Sequence, residues 1–333
     1  MATGRDNGPR PVNINPYERS LLPTDPQFAN LLMNWSHYRQ RLVVFLGAGA
    51  SVGARSKTNG YPLPTAFSLR NLIWRAFMCD APDMFKPEDI QLVSLEHAAA
   101  LAERCVGRAA LLELLAGVFH VEAPLWQHAV LPFLQPSAIF SPNYDSLIED
   151  GWRLHSSAEG IARLRPYYRD ERPDTTPHVP LYKPHGTLER LTEPIGDGGI
   201  VITQFDYIKM LRYRREALDR CLGNTENACV VFIGYSFQDL DIAASLYAIR
   251  NPQEKRTIPW YAVFPRNDEN VRAMYDERYG IRQINRTFFN FLVELDDAVN
   301  FIPEPWKVRN LDTLSGIMRS PAMHHTGAEA GIT

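Results

Sequence analysis

Cysteine is scarce in this chain: four residues in 333, at Cys79, Cys105, Cys221 and Cys229. No two are spaced as Cys-x-x-Cys, which excludes a zinc ribbon built on local spacing and argues against a disulfide framework. A reduced, cytoplasmic setting is expected. Long apolar runs are missing too. No stretch approaches the ~20 residues of a membrane span, and the opening MATGRDNGPRPVNINP lacks a signal-type apolar core, so no membrane association is expected. Positive charge is not in excess either. Lys and Arg number 35 against 38 Asp and Glu, a net charge of −3, which argues against non-specific nucleic-acid binding. No direct sequence-specific contact with nucleic acid is expected. What is present is the material of a sizeable core, with 45% of residues hydrophobic.

Patterning along the chain points to an α/β protein. Residues 1–27 read as a flexible tail, 28–310 as one domain with a helical insert at about 65–122, and 311–333 as a second flexible tail. Phe28 to Arg41 has helical character. Leu42-Val43-Val44-Phe45-Leu46 is apolar on both faces, as a buried parallel strand is. Further strands are expected at Ala138 to Phe140, Val179 to Lys183, Ile200 to Ile202, Cys229 to Ile233 and Ile258 to Phe264. Helices are expected within the insert, from Pro124 through Leu134, from Phe205 to Leu222 (basic and amphipathic) and after Leu240. The segment 156–178 reads as polar and irregular. Alternating strands and helices imply an open, mostly parallel sheet covered on both faces, with ligands outside the carboxyl ends of its strands.

Four strand ends carry unusual residues. The first strand runs into Gly47-Ala48-Gly49-Ala50-Ser51, where glycine lets a backbone approach a pyrophosphate and helix-start amides can donate to it; a tight strand-to-helix turn fits these residues as well. The second runs into Asn143-Tyr144-Asp145, which read locally suits an Asx turn. A third leads to Lys183-Pro184-His185-Gly186, whose imidazole suits proton transfer near neutral pH but also a polar loop. The fourth ends in Gly234-Tyr235-Ser236. His128 falls in an apolar helix and reads as a satisfied packing residue, and His324-His325 as part of the tail.

Taken in order, this series resembles the sirtuin superfamily. Residues 47–51 are similar to its Gly-Ala-Gly-x-Ser dinucleotide loop, and Gly60-Tyr61-Pro62 to the Gly-x-Pro that follows. Ser141 to Asp145 stands where sirtuins have Thr-Gln-Asn-Ile-Asp, His185-Gly186 matches the catalytic His-Gly, and Gly234-Tyr235-Ser236 stands where they have Gly-Thr-Ser. Asn143-Tyr144-Asp145, His185-Gly186, Phe205-Asp206-Tyr207 and Gly234 to Asp239 most resemble the bacterial sirtuin-like proteins of antiphage defence. The four-cysteine zinc ribbon of deacylating sirtuins has no counterpart between Gly186 and Gly234, where only Cys221 and Cys229 stand.

The resemblance implies a Rossmann-like, doubly wound sheet with an inserted helical lobe. It implies NAD⁺ as substrate, no metal, and a glycohydrolase that releases nicotinamide and ADP-ribose. Asn143 and His185 would be catalytic, Asn143 orienting water or ribose hydroxyls and His185 acting as general base. Gly47, Ala48, Gly49, Ala50, Ser51, Gly234 and Ser236 would hold the pyrophosphate and adenosine ribose, and Asp145 the nicotinamide carboxamide. NAD⁺ depletion in defence, a homo-oligomer and a partner ATPase or nuclease belong to the same expectation. An NAD-dependent deacylase and a non-catalytic NAD- or ADP-ribose-binding scaffold are the alternatives.

Overall fold

The computed structural model describes residues 25–78, 87–156, 158–168, 176–222, 228–237, 240–250, 258–265 and 269–307. Most of the expected N-terminal tail, all of the C-terminal one, Asp239 and His324-His325 lie outside the described residues. Seven strands form one all-parallel sheet: β1 (Leu42–Leu46), β2 (Ala138–Phe140), β3 (Arg163–Tyr167), β4 (His178–Tyr182), β5 (Cys229–Ile233), β6 (Trp260–Val263) and β7 (Ile281–Ile284). Their spatial order is β3-β4-β2-β1-β5-β6-β7. This is the doubly wound α/β arrangement expected, with every described strand parallel.

β1 shows why these residues pack this way. Side chains alternate across a strand. Leu42, Val44 and Leu46 enter the apolar cluster on one face, and Val43 and Phe45 enter the cluster on the other. The first face is covered by α1 (Pro26–Met33) and α10 (Phe288–Val299) through Phe28, Leu31, Phe291 and Leu295. The second is covered by α7 (Gln204–Leu222) and α8 (Leu240–Arg250) through Ala217, Cys221, Ile242 and Leu246, with α9 (Glu269–Tyr279) beside them. Phe45 is wholly buried, its ring 4.5 Å from that of Phe140 and 5.0 Å from that of Phe232.

A third apolar cluster joins α3 (Ala66–Phe77) to α4 (Leu95–Phe119) through Leu69, Ile73, Ala98, Ala102, Leu111 and Leu115. Thr65 and Ser94 cap these helices, accepting from Ser68 N and His97 N. α4 is broken at Gly107, where φ is 85°. The next residue, Arg108, reaches across to Asp206 near the start of α7 at 2.7 Å.

Several elements differ from their expectation. The helix expected from Phe28 to Arg41 begins at Pro26, capped by Asp25, and divides at Asn34 into α1 and the short α2 (Trp35–Tyr38). The helix from Pro124 holds only as α5 (Trp126–Val130) before tightening into a 3₁₀ turn. Pro132 has no N–H with which to continue the ladder. Ile200 to Ile202 is buried but is not a strand: Val201 N donates to His185 O at 3.0 Å, and Tyr144 Oη donates to Val201 O at 2.7 Å. β3 lies inside the segment read as irregular. α6 (Leu147–Arg153) follows β2. No helix of the described residues is long and apolar enough to cross a membrane.

Candidate functional site

From β1 the chain moves to β2 on one side of the sheet, while β5 lies on the other. The crevice at the carboxyl ends of β1 and β5 is therefore the topological switch point, where open α/β sheets bind ligands. Two glycine turns interlock there. Gly47 N donates to Ile233 O at 2.9 Å and Gly49 N to Gly234 O at 2.8 Å. A Cβ on Gly49 would lie 2.7 Å from Gly234 Cα, and one on Gly234, where φ is +61°, would lie 2.3 Å from Ala50 N. Glycine is needed at these two positions for one turn to seat on the other.

The residues after β2 are tied to the same turn. Asn143 Nδ2 donates to Gly47 O at 3.0 Å and to Ser51 Oγ at 3.2 Å. Ser51 Oγ in turn donates to Asp145 Oδ2 at 2.8 Å, and Leu147 N donates to Asp145 Oδ1 at 3.2 Å. One oxygen of Asp145 thus caps its own loop, as the Asx-turn reading expects, and the other grips the β1 turn.

His185 is the third residue of a four-residue turn closed by Gly186 N donating to Lys183 O at 3.1 Å. Pro184 takes the second position, which its fixed φ suits, and Gly186 the fourth. Gly186 has φ +81°, and a Cβ there would lie 2.2 Å from Gly199 O. The imidazole is buried, with its ring edge-on to Tyr207 at 5.0 Å.

Beneath these loops lies a buried ion pair that sequence reasoning missed. Lys183 Nζ, with no exposure, donates to Glu149 Oε1 at 2.8 Å, to Asp145 O at 2.7 Å and to Thr187 Oγ1 at 3.4 Å. Burial pushes the carboxyls of Asp145 and Glu149 up from the usual carboxylate range, and the Lys183 ammonium opposes that rise in both. Glu149 falls in the first turn of α6, where an acidic residue reads as a solvated helix start. Nothing in its spacing marks it as buried.

The glycine turns, the Asn143–Asp145 loop and the His185 turn open on one cleft of about 1510 Å³. Ala48, Gly49, Ala50, Ser51, Asn143, Asp145, His185, Gly234 and Ser236 line it. Gly47 lies beneath that wall, with its N–H on β5 and its carbonyl on Asn143. Residues not anticipated also line it: Gln127, Tyr247, Tyr275, Tyr279 and, from the helical lobe, Arg70. Arg70 is the one Arg or Lys among the described lining residues, and its guanidinium sits 4.6 Å over the Phe67 ring. Phe67 and Arg70, one helical turn apart soon after Pro64, were the available signal. His128 is buried as expected, but its Nδ1 has no partner among the described residues. Cys221 and Cys229 are buried, and burial pushes both thiols well above their ordinary range.

Residues 137–284 match the family model described as a SIR2-like domain. No curated protein matches the chain. The matched stretch runs from β2 through β7 and contains Asn143, Asp145, His185, Gly234 and Ser236. It supports a place in the sirtuin-like superfamily and an NAD-related activity.

Proposed function

We propose that the chain is an NAD⁺ glycohydrolase. Water replaces nicotinamide at ribose C1′: the C1′–N1 bond breaks, a C1′–O bond forms, and nicotinamide, ADP-ribose and a proton leave. The observation that carries this reading is that Asn143 and His185 line one cleft together with the two glycine turns of the switch point. The cleft exceeds the ~300–1,000 Å³ of drug-sized pockets, as an extended dinucleotide requires.

The chemistry asks little of the protein beyond positioning. Nicotinamide leaves as a neutral group from a cationic sugar, through an oxocarbenium-like transition state of the glycosidase kind. With Nδ2 held by Gly47 and Ser51, Asn143 keeps Oδ1 as an acceptor for water or a ribose hydroxyl. His185 takes the proton that water loses. Each oxygen of Asp145 accepts one hydrogen bond, and a carboxylate has about four acceptor sites, so capacity remains for a carboxamide N–H. Ala48 to Ser51, Gly234 and Ser236 hold the pyrophosphate and adenosine ribose, and Arg70 supplies the opposite charge.

Incubation of purified protein with NAD⁺, following nicotinamide release with and without an acyl-lysine peptide, tests the reading. Release without peptide is expected. Release only with peptide selects the deacylase, and binding without release selects the scaffold. The biological setting we propose is NAD⁺ depletion in antiphage defence, by a homo-oligomer working with a partner ATPase or nuclease. It rests on the resemblance of the motif series. Cellular NAD⁺ measured during phage challenge, with and without the Asn143→Ala change, tests it.

A further inference from the structure

The turn that presents His185 begins at Lys183, and Lys183 is the least exposed ionisable side chain of the site. Its main-chain carbonyl closes that turn, while its ammonium leaves in the other direction, toward the loop after β2. An ammonium has three protons to donate, and all three are used here: on Asp145 O, Glu149 Oε1 and Thr187 Oγ1. Asp145 ends the loop that carries Asn143, and Thr187 comes two residues after His185. The one cation therefore touches the supports of both groups expected to act on substrate.

Stability alone does not account for this choice. A buried ion pair is often no more stabilising than apolar residues of similar volume. The two loops are also joined without it: Leu188 N donates to Tyr144 O at 3.1 Å, and Tyr144 Oη donates to Val201 O at 2.7 Å. Those contacts hold the loops together, whereas the ammonium adds a third fixed point directly under Asp145. Glu149 Oε2 has no partner among the described residues, so the carboxylate is held by Lys183 through its other oxygen, and the pair acts as a unit.

We propose that Lys183, clamped by Glu149, is a positioning residue. It sets the spacing between the Asn143–Asp145 loop and the His185 turn without touching substrate. This rests on the glycohydrolase reading for its kinetic consequence, but not for its structural one.

The test compares the full-length wild type with the Lys183→Met/Glu149→Leu double variant, which removes the cation together with its ion-pair partner and leaves Asp145 its hydrogen bonds from Ser51 Oγ and Leu147 N. A misplacement of catalytic groups on the ångström scale costs on the order of 10²-fold. The double variant is therefore expected to fold and to bind NAD⁺ within about threefold of wild type, with kcat lowered about 10²-fold and KM little changed. A kcat within about threefold of wild type would overturn the proposal. So would failure of the double variant to fold, because the pair would then be a support of the fold. The ¹⁵N signals of the His185 ring, assigned with His185→Ala, give a readout independent of turnover. They shift in the double variant if Lys183 sets the turn and stay in place if it does not. A wild-type protein that releases no nicotinamide fails the glycohydrolase reading, and the ring signals still decide the positioning role.

Discussion

Asn143 donates its side-chain amide to the main-chain carbonyl of Gly47, 3.0 Å away. The side-chain amide proposed to orient water is thus anchored on the turn after β1, while the main-chain N–H of Asn143 donates within its own loop to Ser141 Oγ. The same side-chain nitrogen reaches Ser51 Oγ, which donates onward to Asp145. Asn143→Ala removes both the acceptor proposed for water and this anchor. Turnover is expected to fall on the order of 10²-fold or more, as for other positioning groups, with a smaller change in KM. Stability should fall by roughly 1–3 kcal/mol for the two lost hydrogen bonds. Steady-state nicotinamide release reads the first effect and denaturant titration the second. A variant keeping more than about half of wild-type turnover would remove Asn143 from the site.

His185→Ala addresses the proton. A general base contributes about 10²–10⁴-fold, so this variant should lose nearly all turnover. The glycine turns and the Asn143–Ser51–Asp145 chain do not pass through the imidazole, so NAD⁺ binding should remain measurable by calorimetry. Its ring packs edge-on to Tyr207, and a modest loss of stability is expected. Collapse of the fold in this variant would mean that His185 serves packing rather than chemistry.

Gly234→Ala tests the interlock of the two turns. The position needs φ near +61°, and an added Cβ would meet the main chain of Gly49 and Ala50 at 2.3 Å. Backbone cannot swing away as a flexible side chain can. Left-handed strain of roughly 1–2 kcal/mol and overpacking of roughly 1–3 kcal/mol add to a loss of roughly 2–5 kcal/mol. Gly196→Ala, where a Cβ has nothing within 4 Å, is the control and should melt close to wild type. Equal melting temperatures for the two variants would show that the turns do not seat as described.

What was legible in the sequence follows the chemistry of each segment. β1 and β5 announce themselves because both faces are buried, so every residue of LVVFL and CVVFI is apolar. The turns at their ends stand out by their glycines, which suit a tight strand-to-helix turn as well as the approach of a backbone to a pyrophosphate. β3 was not legible: Arg163-Leu164-Arg165-Pro166-Tyr167 is an edge strand, where arginine and proline are tolerated. β7, with Arg282 in its four residues, hides for the same reason. Ile200 to Ile202 misled because a buried apolar run looks like a strand whether its backbone bonds to a ladder or, as here, to His185 and Tyr144. Asn143 and His185 could be named only because the ordered series of motifs resembles that of sirtuins; read locally, each suits a turn or a polar loop as well. Lys183 and Glu149 could not be named, since the spacing between two oppositely charged residues 34 positions apart carries no period that reveals a contact.

His128 carries a pH dependence whose sign can be worked out. The ring is 1% exposed, edge-on to Phe288 at 5.6 Å, and Nδ1 has no partner among the described residues. Burial pushes its pKa down from 6.5 to about 3. In the unfolded chain the imidazole takes up a proton as pH falls below about 6.5, while in the fold it stays neutral until near 3. The unfolded state therefore binds more protons across that window, and stability present above pH 6.5 is lost as the pH falls through it. The slope for one group is about 1.4 kcal/mol per pH unit, so roughly 2–3 kcal/mol should be gone by about pH 4.5. His128→Leu removes the group and keeps an apolar side chain in the same packing. Guanidinium unfolding at about pH 7.5, 6 and 4.5 should show wild type losing stability faster than the variant, and the two curves converging or crossing toward acid. A gap between them that stays constant over this range would place His128 in contact with water or a hydrogen-bond partner, and not in the dry packing described.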